Sequence, residues 1–285
     1  MVQVTVTDSK GLVQQSGRGM TIDSASNLNR GLKSTDRYYL EEFFYRRPCI
    51  NADVQNGAEA TRMIANSDFE VLGTNMTSAL ATFPGTHAGI KLTTAGADND
   101  QAIVAPHLDT NQSAWTGCKW GTENQVEWET AVTTGSEITT QSFWAGLKLT
   151  NTGVYATDAN QAYFLYASDD DQGALTTNAN LHFVYSVAGT DYITDLGVAV
   201  AADTCYKLKI SFDSDRKVSI FVNGEQYSLA LTEVAGGSLS GKGTVKSLAM
   251  TDDIDLIPYV GLQSHDGSAD HIYLHYEAIN RVLFE

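Results

Sequence analysis

Two carboxylates on one strand face are the most direct route from this sequence to an enzyme. Glu127 and Glu129, in QVEWET, lie two residues apart, so on a strand they share one face about 7 Å apart while Trp128 points the other way. A glycoside hydrolase places two acids across the scissile bond, one to protonate the leaving oxygen and one to attack or to activate water. An exposed strand face over a buried Trp128 has the same residue pattern. The three-acid ExDxxE strand of laminarinase-type glucanases occurs nowhere in the chain, so the sequence predicts no catalytic residue and no enzyme.

The histidines offer little to a metal. Of His87, His107, His182, His265, His271 and His275, only the last two are close, and a strand would hold them about 13 Å apart. Hard oxygen ligands are more plentiful. Asp169, Asp170 and Asp171 in SDDDQG, and Asp252, Asp253 and Asp255 in TDDID, are acidic turns of the kind that supply carboxylates and loop carbonyls to calcium. Calcium is the ion these turns would take, although no cofactor is required, and solvated acidic turns look the same in a chain of formal net charge −16. Trp115, Trp120, Tyr155 and Tyr192 fall in or beside polar loops, where an exposed ring would form a glycan platform. Trp128 and Trp144 sit within apolar strands and read as core. Cys49, Cys118 and Cys205 are too far apart for a zinc knuckle or a CxxC pair and are odd in number, so they read as inert thiols. No phosphate-cradling glycine motif opens a helix.

Strands must position whatever site exists. From Tyr206 to Leu229, YKLKISFDSDRKVSIFVNGEQYSL, the residues Tyr206, Leu208, Ile210 and Phe212 alternate with Lys207, Lys209 and Ser211, the period of a strand with one buried and one wet face. Asp213, Ser214 and Asp215 supply a turn, Val218, Ile220 and Val222 resume the alternation, and Asn223-Gly224 predicts a type I′ turn. Such a meander needs a second sheet to cover its apolar face. FEVLG, SALATF, GIKLTT, QAIVAPH, QVEWETAV, FWAGLKLT, AYFLYAS, LHFVYSV and YITDLGVAV precede it, and IDLIPYVGLQSH and DHIYLHYEAINRVLF follow it. Together they predict about fourteen strands in two sheets.

Residues 1–66 differ. Val2, Val4 and Val6 alternate only briefly, and Gln14 to Arg30 is rich in Gly, Ser, Asn and Gln, which reads as an extended arm. STDRYYLEEFFYRR is expected to start a short helix capped at Ser34 or Thr35 and stopped by Pro48. Its aromatics Tyr38, Tyr39, Phe43, Phe44 and Tyr45 would spread around most of that helix. They serve either as an anchor on a larger assembly or as a lid on the sandwich of the same chain. The expected division is therefore an arm over 1–66 and a sandwich over 67–285.

Composition excludes some partners. Charged residues are 18% of the 285, and the net charge is negative, so no basic surface is available for nucleic acid phosphates. A run of 18 apolar residues is also missing. The start MVQVTVTDSKGLVQQ lacks the regions of a secretory signal, which predicts synthesis in a cytoplasm. Like charge suits a protein displayed on a particle surface.

YKLKISFD followed by KVSIFVNGEQ resembles the central hairpin of concanavalin-like jelly rolls of the legume-lectin and laminin-G type. FEVLGTNMTSALATF, LTTAGADNDQAIVAPHLDTNQSAW and WAGLKLTNT resemble virion structural proteins of marine tailed bacteriophages that carry such a domain. The likeness covers Asn51 to Glu285 and brings no catalytic or ligand motif. It implies an all-β, concanavalin-like sandwich of two antiparallel sheets whose last strand returns beside the first, with calcium at loop ends in some relatives. The likeness points to the family and not to a role on the virion. The low-charge sandwich behind an aromatic-tipped arm, with no catalytic constellation, is what reads as a capsid decoration protein on the virion surface, made in the host cytoplasm and held by its arm to other virion proteins, the major capsid protein first, with a homotrimer as one arrangement. A tail or fibre module that binds host glycan is the alternative, and a polysaccharide-acting enzyme ranks last.

Overall fold

The structure, a computed structural model, describes residues 37–44, 49–50, 69–85, 88–106, 120–150, 158–168, 175, 178–227, 229, 232–233 and 248–282. Seventeen strands run through them. In chain order they begin with β1 (Arg37–Glu42), β2 (Cys49–Ile50), β3 (Phe69–Leu72), β4 (Ala81–Thr82), β5 (Ile90–Thr93) and β6 (Gln101–Pro106). Next come β7 (Glu127–Thr134), β8 (Gln141–Lys148), β9 (Gln161–Ala167), β10 (Asn180–Val187), β11 (Thr190–Ala199) and β12 (Cys205–Phe212). The series ends with β13 (Val218–Val222), β14 (Glu225–Tyr227), β15 (Thr232–Glu233), β16 (Ile257–Ser264) and β17 (His271–Val282).

They form two sheets. One has eight strands in the order β14-β13-β12-β7-β17-β5-β4, with β1 also on β17; the other has nine in the order β15-β11-β10-β9-β8-β16-β6-β3-β2. Every pairing is antiparallel except β2 with β3. The meander is as expected: β12 pairs β13 and β13 pairs β14. Asn223 and Gly224 take the positive φ values, 52° and 88°, that a type I′ turn requires. The last strand, β17, pairs with the first, β1, and with β5 and β7.

Between the sheets lies one apolar core. Tyr206, Leu208, Ile210 and Phe212 of β12 meet Phe143, Ala145 and Leu147 of β8 and Phe164 of β9 in it. The eight-stranded sheet keeps the predicted alternation, with Cys205 exposed and Lys209 half-buried on its outer face. The nine-stranded sheet does not alternate. Trp144, Tyr163, Leu165, Val184, Ile103 and Tyr259 form a second buried cluster on its outer face.

The expected helix at STDRYYLEEFFYRR is overturned, because Arg37–Glu42 is strand β1. Leu40 sits opposite Ile279 and packs on the core, and Phe44 is buried with its ring 6.0 Å from that of Phe69. As a helix the segment would scatter its aromatics; as a strand it completes the edge of β17, and pairing with that edge overrides local propensity. Residues 37–44 thus belong to the sandwich.

One irregularity in β17 sets an interior residue. Leu274 pairs with Val132 and Tyr276 with Ala131, so His275 is an extra residue and the ladder carries a bulge. The bulge shifts the phase of β17: Ile272 and Leu274 point inward before it, Glu277 and Ile279 after it. Without it Glu277 would face out.

Candidate functional site

The polar and aromatic side chains with most chemical potential gather on the outer face of the nine-stranded sheet. On β8 the inward residues are Phe143, Ala145 and Leu147, so Trp144, Gly146 and Lys148 point outward. Register brings Lys148 opposite Gln161 of β9, and Gln161 opposite Ser186 of β10. Gly146 lies opposite Tyr163 on one side and Tyr259 on the other, and Trp144 opposite Gly261. A Cβ at Gly261 would stand 2.7 Å from Trp144 Cζ2 and 2.9 Å from Ile103 Cγ1. Only glycine lets the indole lie across β16. Trp144 and Tyr259 stack with centroids 6.1 Å apart and planes inclined at 21°.

At one end of this floor sits a buried cation. Lys148 Nζ stands 4.6 Å from the centre of the Tyr259 ring and 3.9 Å from Asp158 Oδ2. Burial pushes the ammonium down from 10.5 to about 8, against the pull of Asp158. Burial raises the Tyr259 phenol above its ordinary range, with the Asp158 carboxylate adding to the effect. Asp158 is itself well held: Oδ2 accepts the Leu149 and Thr150 N–H groups at 2.9 and 2.8 Å, and Oδ1 accepts the Thr150 hydroxyl at 2.9 Å. Beside it Gln161 Nε2 donates to Ser186 Oγ at 3.0 Å.

The other end is a row of amides and hydroxyls. Gln101 Nε2 donates to Gln263 Oε1 at 2.8 Å, Gln263 Nε2 donates to Asn99 Oδ1 at 2.7 Å, and Ser142 Oγ lies 2.6 Å from His265 Nε2. An aromatic floor between two polar rows has the composition of a sugar-binding surface. Here these groups are engaged with one another, and Lys148, Trp144, Gln161 and Tyr259 are fully buried.

The residues singled out in the sequence are placed differently. Glu127 and Glu129 share the outer face of β7, on the other sheet, with Trp128 inward and fully buried. Lys209 Nζ donates to Glu127 Oε2 at 3.1 Å. Burial alone would raise the Glu127 carboxyl, but the Lys209 ammonium, with Arg37 and Asn280, holds it below its ordinary value. Two members of the expected glycan platform are interior. Trp120 is 2% exposed with its ring 5.6 Å from that of Tyr38, and Tyr192 is 8% exposed, opposite Tyr185 on β10. Neither offers a ring face to solvent, because each packs into the sandwich core. Trp128 and Trp144 are buried as expected, Trp144 on the outer face of its sheet.

Asp252 is exposed with Oδ1 3.2 Å from Arg216 Nη1, Asp253 lies in a turn with φ 56°, and Asp255 bridges to Gly121. Among the described residues no three His, Cys, Asp or Glu side chains gather to hold a metal. Of the anchor aromatics, Phe44 is core, Tyr38 and Phe43 are exposed, and Tyr39 is half-buried on β1. Trp115, Tyr155, Asp169, Asp170, Asp171 and Tyr45 lie outside the described residues.

Lys148 was legible in one respect. In SFWAGLK it shares parity with Trp144, so a charged residue marks the Trp144 face as the outer one. Asp158 carries no comparable signal, since its partner is set by tertiary structure.

No family model matches the chain, and no curated protein does. Solved structures are similar in fold. A protein of unknown function from Shewanella oneidensis MR-1 is 12% identical with a TM-score of 0.51, over 94% of this chain and 97% of that one. Peanut lectin is 9% identical (TM-score 0.47, 88% of this chain and 100% of that one), and Bacillus licheniformis β-glucanase is 10% identical (TM-score 0.46, 85% and 97%). The architecture is a concanavalin-like jelly-roll sandwich, and at these identities the likeness extends to the fold alone.

Proposed function

We propose that this chain is a structural protein of a tailed-phage particle, a decoration protein of the head surface without catalytic activity, tethered through residues 1–36. The observation that carries the reading is the mutual engagement of the groups able to do chemistry: Lys148 with Asp158, Glu127 with Lys209, and Gln101 with Gln263. Functional groups spent on one another make a durable scaffold and leave little for a substrate. The likeness of FEVLGTNMTSALATF and WAGLKLTNT to phage virion proteins and the net charge of −16 support the same reading. The tether is confined to residues before Arg37, because β1 belongs to the sandwich. Repetition over a symmetric shell would add avidity to a modest contact, and a trimer would match a shell's local threefold axes.

A glycan-binding tail module is the second reading, favoured by the stacked Trp144 and Tyr259 between polar rows. Co-sedimentation separates the two. Full-length protein and a chain starting at Arg37, which keeps β1, are spun with emptied heads of the phage that carries the gene, and separately with host cells. Binding of heads by the full-length chain alone is the expected result. Binding of cells by both chains, with heads bound by neither, overturns the decoration reading in favour of the glycan module.

A further inference from the structure

We propose that the outer face of the eight-stranded sheet joins two copies of this chain face to face, about a twofold axis running along the strands between β7 and β12. The contact needs neither the tether nor a particle. Outward side chains of β1, β17, β7, β12, β13 and β14 alternate with the core residues, and the ladders set them in rows across the sheet.

The middle row reads Glu41, Ala278, Glu129, Lys209, Phe221, Gln226, each directly opposite the next. A half-turn about a line between Glu129 and Lys209 lays this row, reversed, on its own image. Lys209 of each copy then faces Glu129 of the other, Phe221 faces Ala278, and Gln226 faces Glu41. Cation meets anion, ring meets methyl, and an amide with two donors meets a carboxylate. The flanking rows tolerate the same operation. Glu127 lands on Ser211 and Lys207 on Ala131, so no like charges meet. A twofold contact is isologous and requires such self-complementarity. Facing sheets pack about 10 Å apart with their strands inclined by about 30°, which keeps the pairs beside the axis within reach of long side chains.

Within one chain the row is incomplete. Lys209 Nζ turns to Glu127 Oε2 at 3.1 Å although Glu129 lies directly opposite it. Glu129 is half-buried and, among the described residues, its carboxylate makes no hydrogen bond or ion pair. An ammonium carries three donors, so Lys209 can hold its own Glu127 and the Glu129 of a second copy together. Lys91, Lys207 and Lys209 share the face with Glu127 and Glu129, so it presents no single sign of charge to a polyanion or a cationic peptide. What it matches is its own image. Five strands and eight residues span about 24 by 26 Å, or about 600 Å² on each copy, the weaker end of the range for specific contacts.

Sedimentation velocity of the full-length chain between about 1 and 100 μM tests this. The expected result is a reversible shift from monomer to dimer. Lys209→Glu sets carboxylate against carboxylate on both sides of the axis, and Glu129→Lys sets ammonium against ammonium; each variant should dimerise at least about tenfold more weakly. Mixed in equal amounts, the two variants should regain the dimer, because every pair across the axis is again of unlike charge. Circular dichroism checks that each keeps its fold. Phe221→Ala, at a half-buried outward position, reverses no charge and should also weaken the dimer about tenfold. A chain that stays monomeric throughout, a trimer in place of the dimer, a dimer indifferent to both charge reversals or to Phe221→Ala, or folded variants that stay monomeric when mixed would each overturn the proposal.

Discussion

Replacing Lys148 by Met should stabilise the protein at neutral pH, against the intuition that a buried ion pair holds a fold together. Burial takes the ammonium from 10.5 to about 8 even with Asp158 beside it. At ~1.4 kcal/mol per factor of ten in proton affinity, the charged form costs the folded state about 3 kcal/mol at pH 7. Methionine keeps the apolar stem over Tyr259 and removes the charge. The cation–π contact with Tyr259 is lost at ~0.5–2 kcal/mol, while Asp158 keeps its two backbone donors and the Thr150 hydroxyl. The net expectation is a gain of about 1–3 kcal/mol, because the attraction of Asp158 is already counted in the lowered ammonium and its carboxylate keeps three donors. The sign of the pH dependence follows. Between about pH 8 and 10.5 the unfolded chain holds a proton that the folded chain has released, so wild-type stability rises with pH through that window and the advantage of the variant shrinks. Urea denaturation read by tryptophan fluorescence at pH 7, 8, 9 and 10 measures it through the midpoint at constant slope. Asp158→Ala, which strands the ammonium and two backbone N–H groups, should lose about 3–5 kcal/mol. Should Lys148→Met prove less stable than wild type by more than about 1 kcal/mol, or its difference stay constant from pH 7 to 10, the reasoning fails.

Gly261→Ala places a methyl 2.7 Å from the Trp144 ring and should cost about 1–3 kcal/mol by overpacking, seen as a lower thermal midpoint; an unchanged midpoint would mean that Trp144 is free to move off β16. Glu127→Gln and Glu129→Gln should each shift stability by less than about 1 kcal/mol, since the Lys209 pair is half-exposed. Incubation with polysaccharides should show no release of reducing ends that depends on either carboxylate, and turnover abolished by one of these changes would establish the hydrolase reading.

How legible each feature was in the sequence depended on whether its cause was local. The β12–β13–β14 meander could be read because Tyr206 to Val222 alternates and Asn223-Gly224 selects its own turn. Strand β1 was misread because RYYLEE has no alternation of polar and apolar residues strong enough to outweigh its helical composition, and the β17 edge that claims it lies more than 230 residues away. Glu277 looked like an ordinary strand carboxylate. Only the bulge at His275 turns it inward, and that bulge rests on His275 Nδ1 donating to the Ala88 carbonyl at 2.8 Å and Nε2 meeting Thr133 Oγ1 at 2.7 Å. Partners distant in sequence set both β1 and the inward turn of Glu277.

The two sheets also differ in kind, and the difference bears on where a partner could dock. Strands SFWAGLK and AYFLYA are apolar almost throughout, the signature of strands buried on both faces, whereas YKLKISF alternates as a half-solvated strand does. The structure agrees: β8, β9 and β16 are buried at every position, while β12 and β13 alternate buried with half-buried or exposed residues. Among the described residues, the outer face of the eight-stranded sheet offers half-buried and exposed positions along β12 and β13, so a contact there leaves the packed core undisturbed. There Tyr39, Phe43, Tyr273 and Tyr276 stand among Lys91, Glu127 and Lys209, a mixture of aromatic and charged groups suited to a polar protein interface.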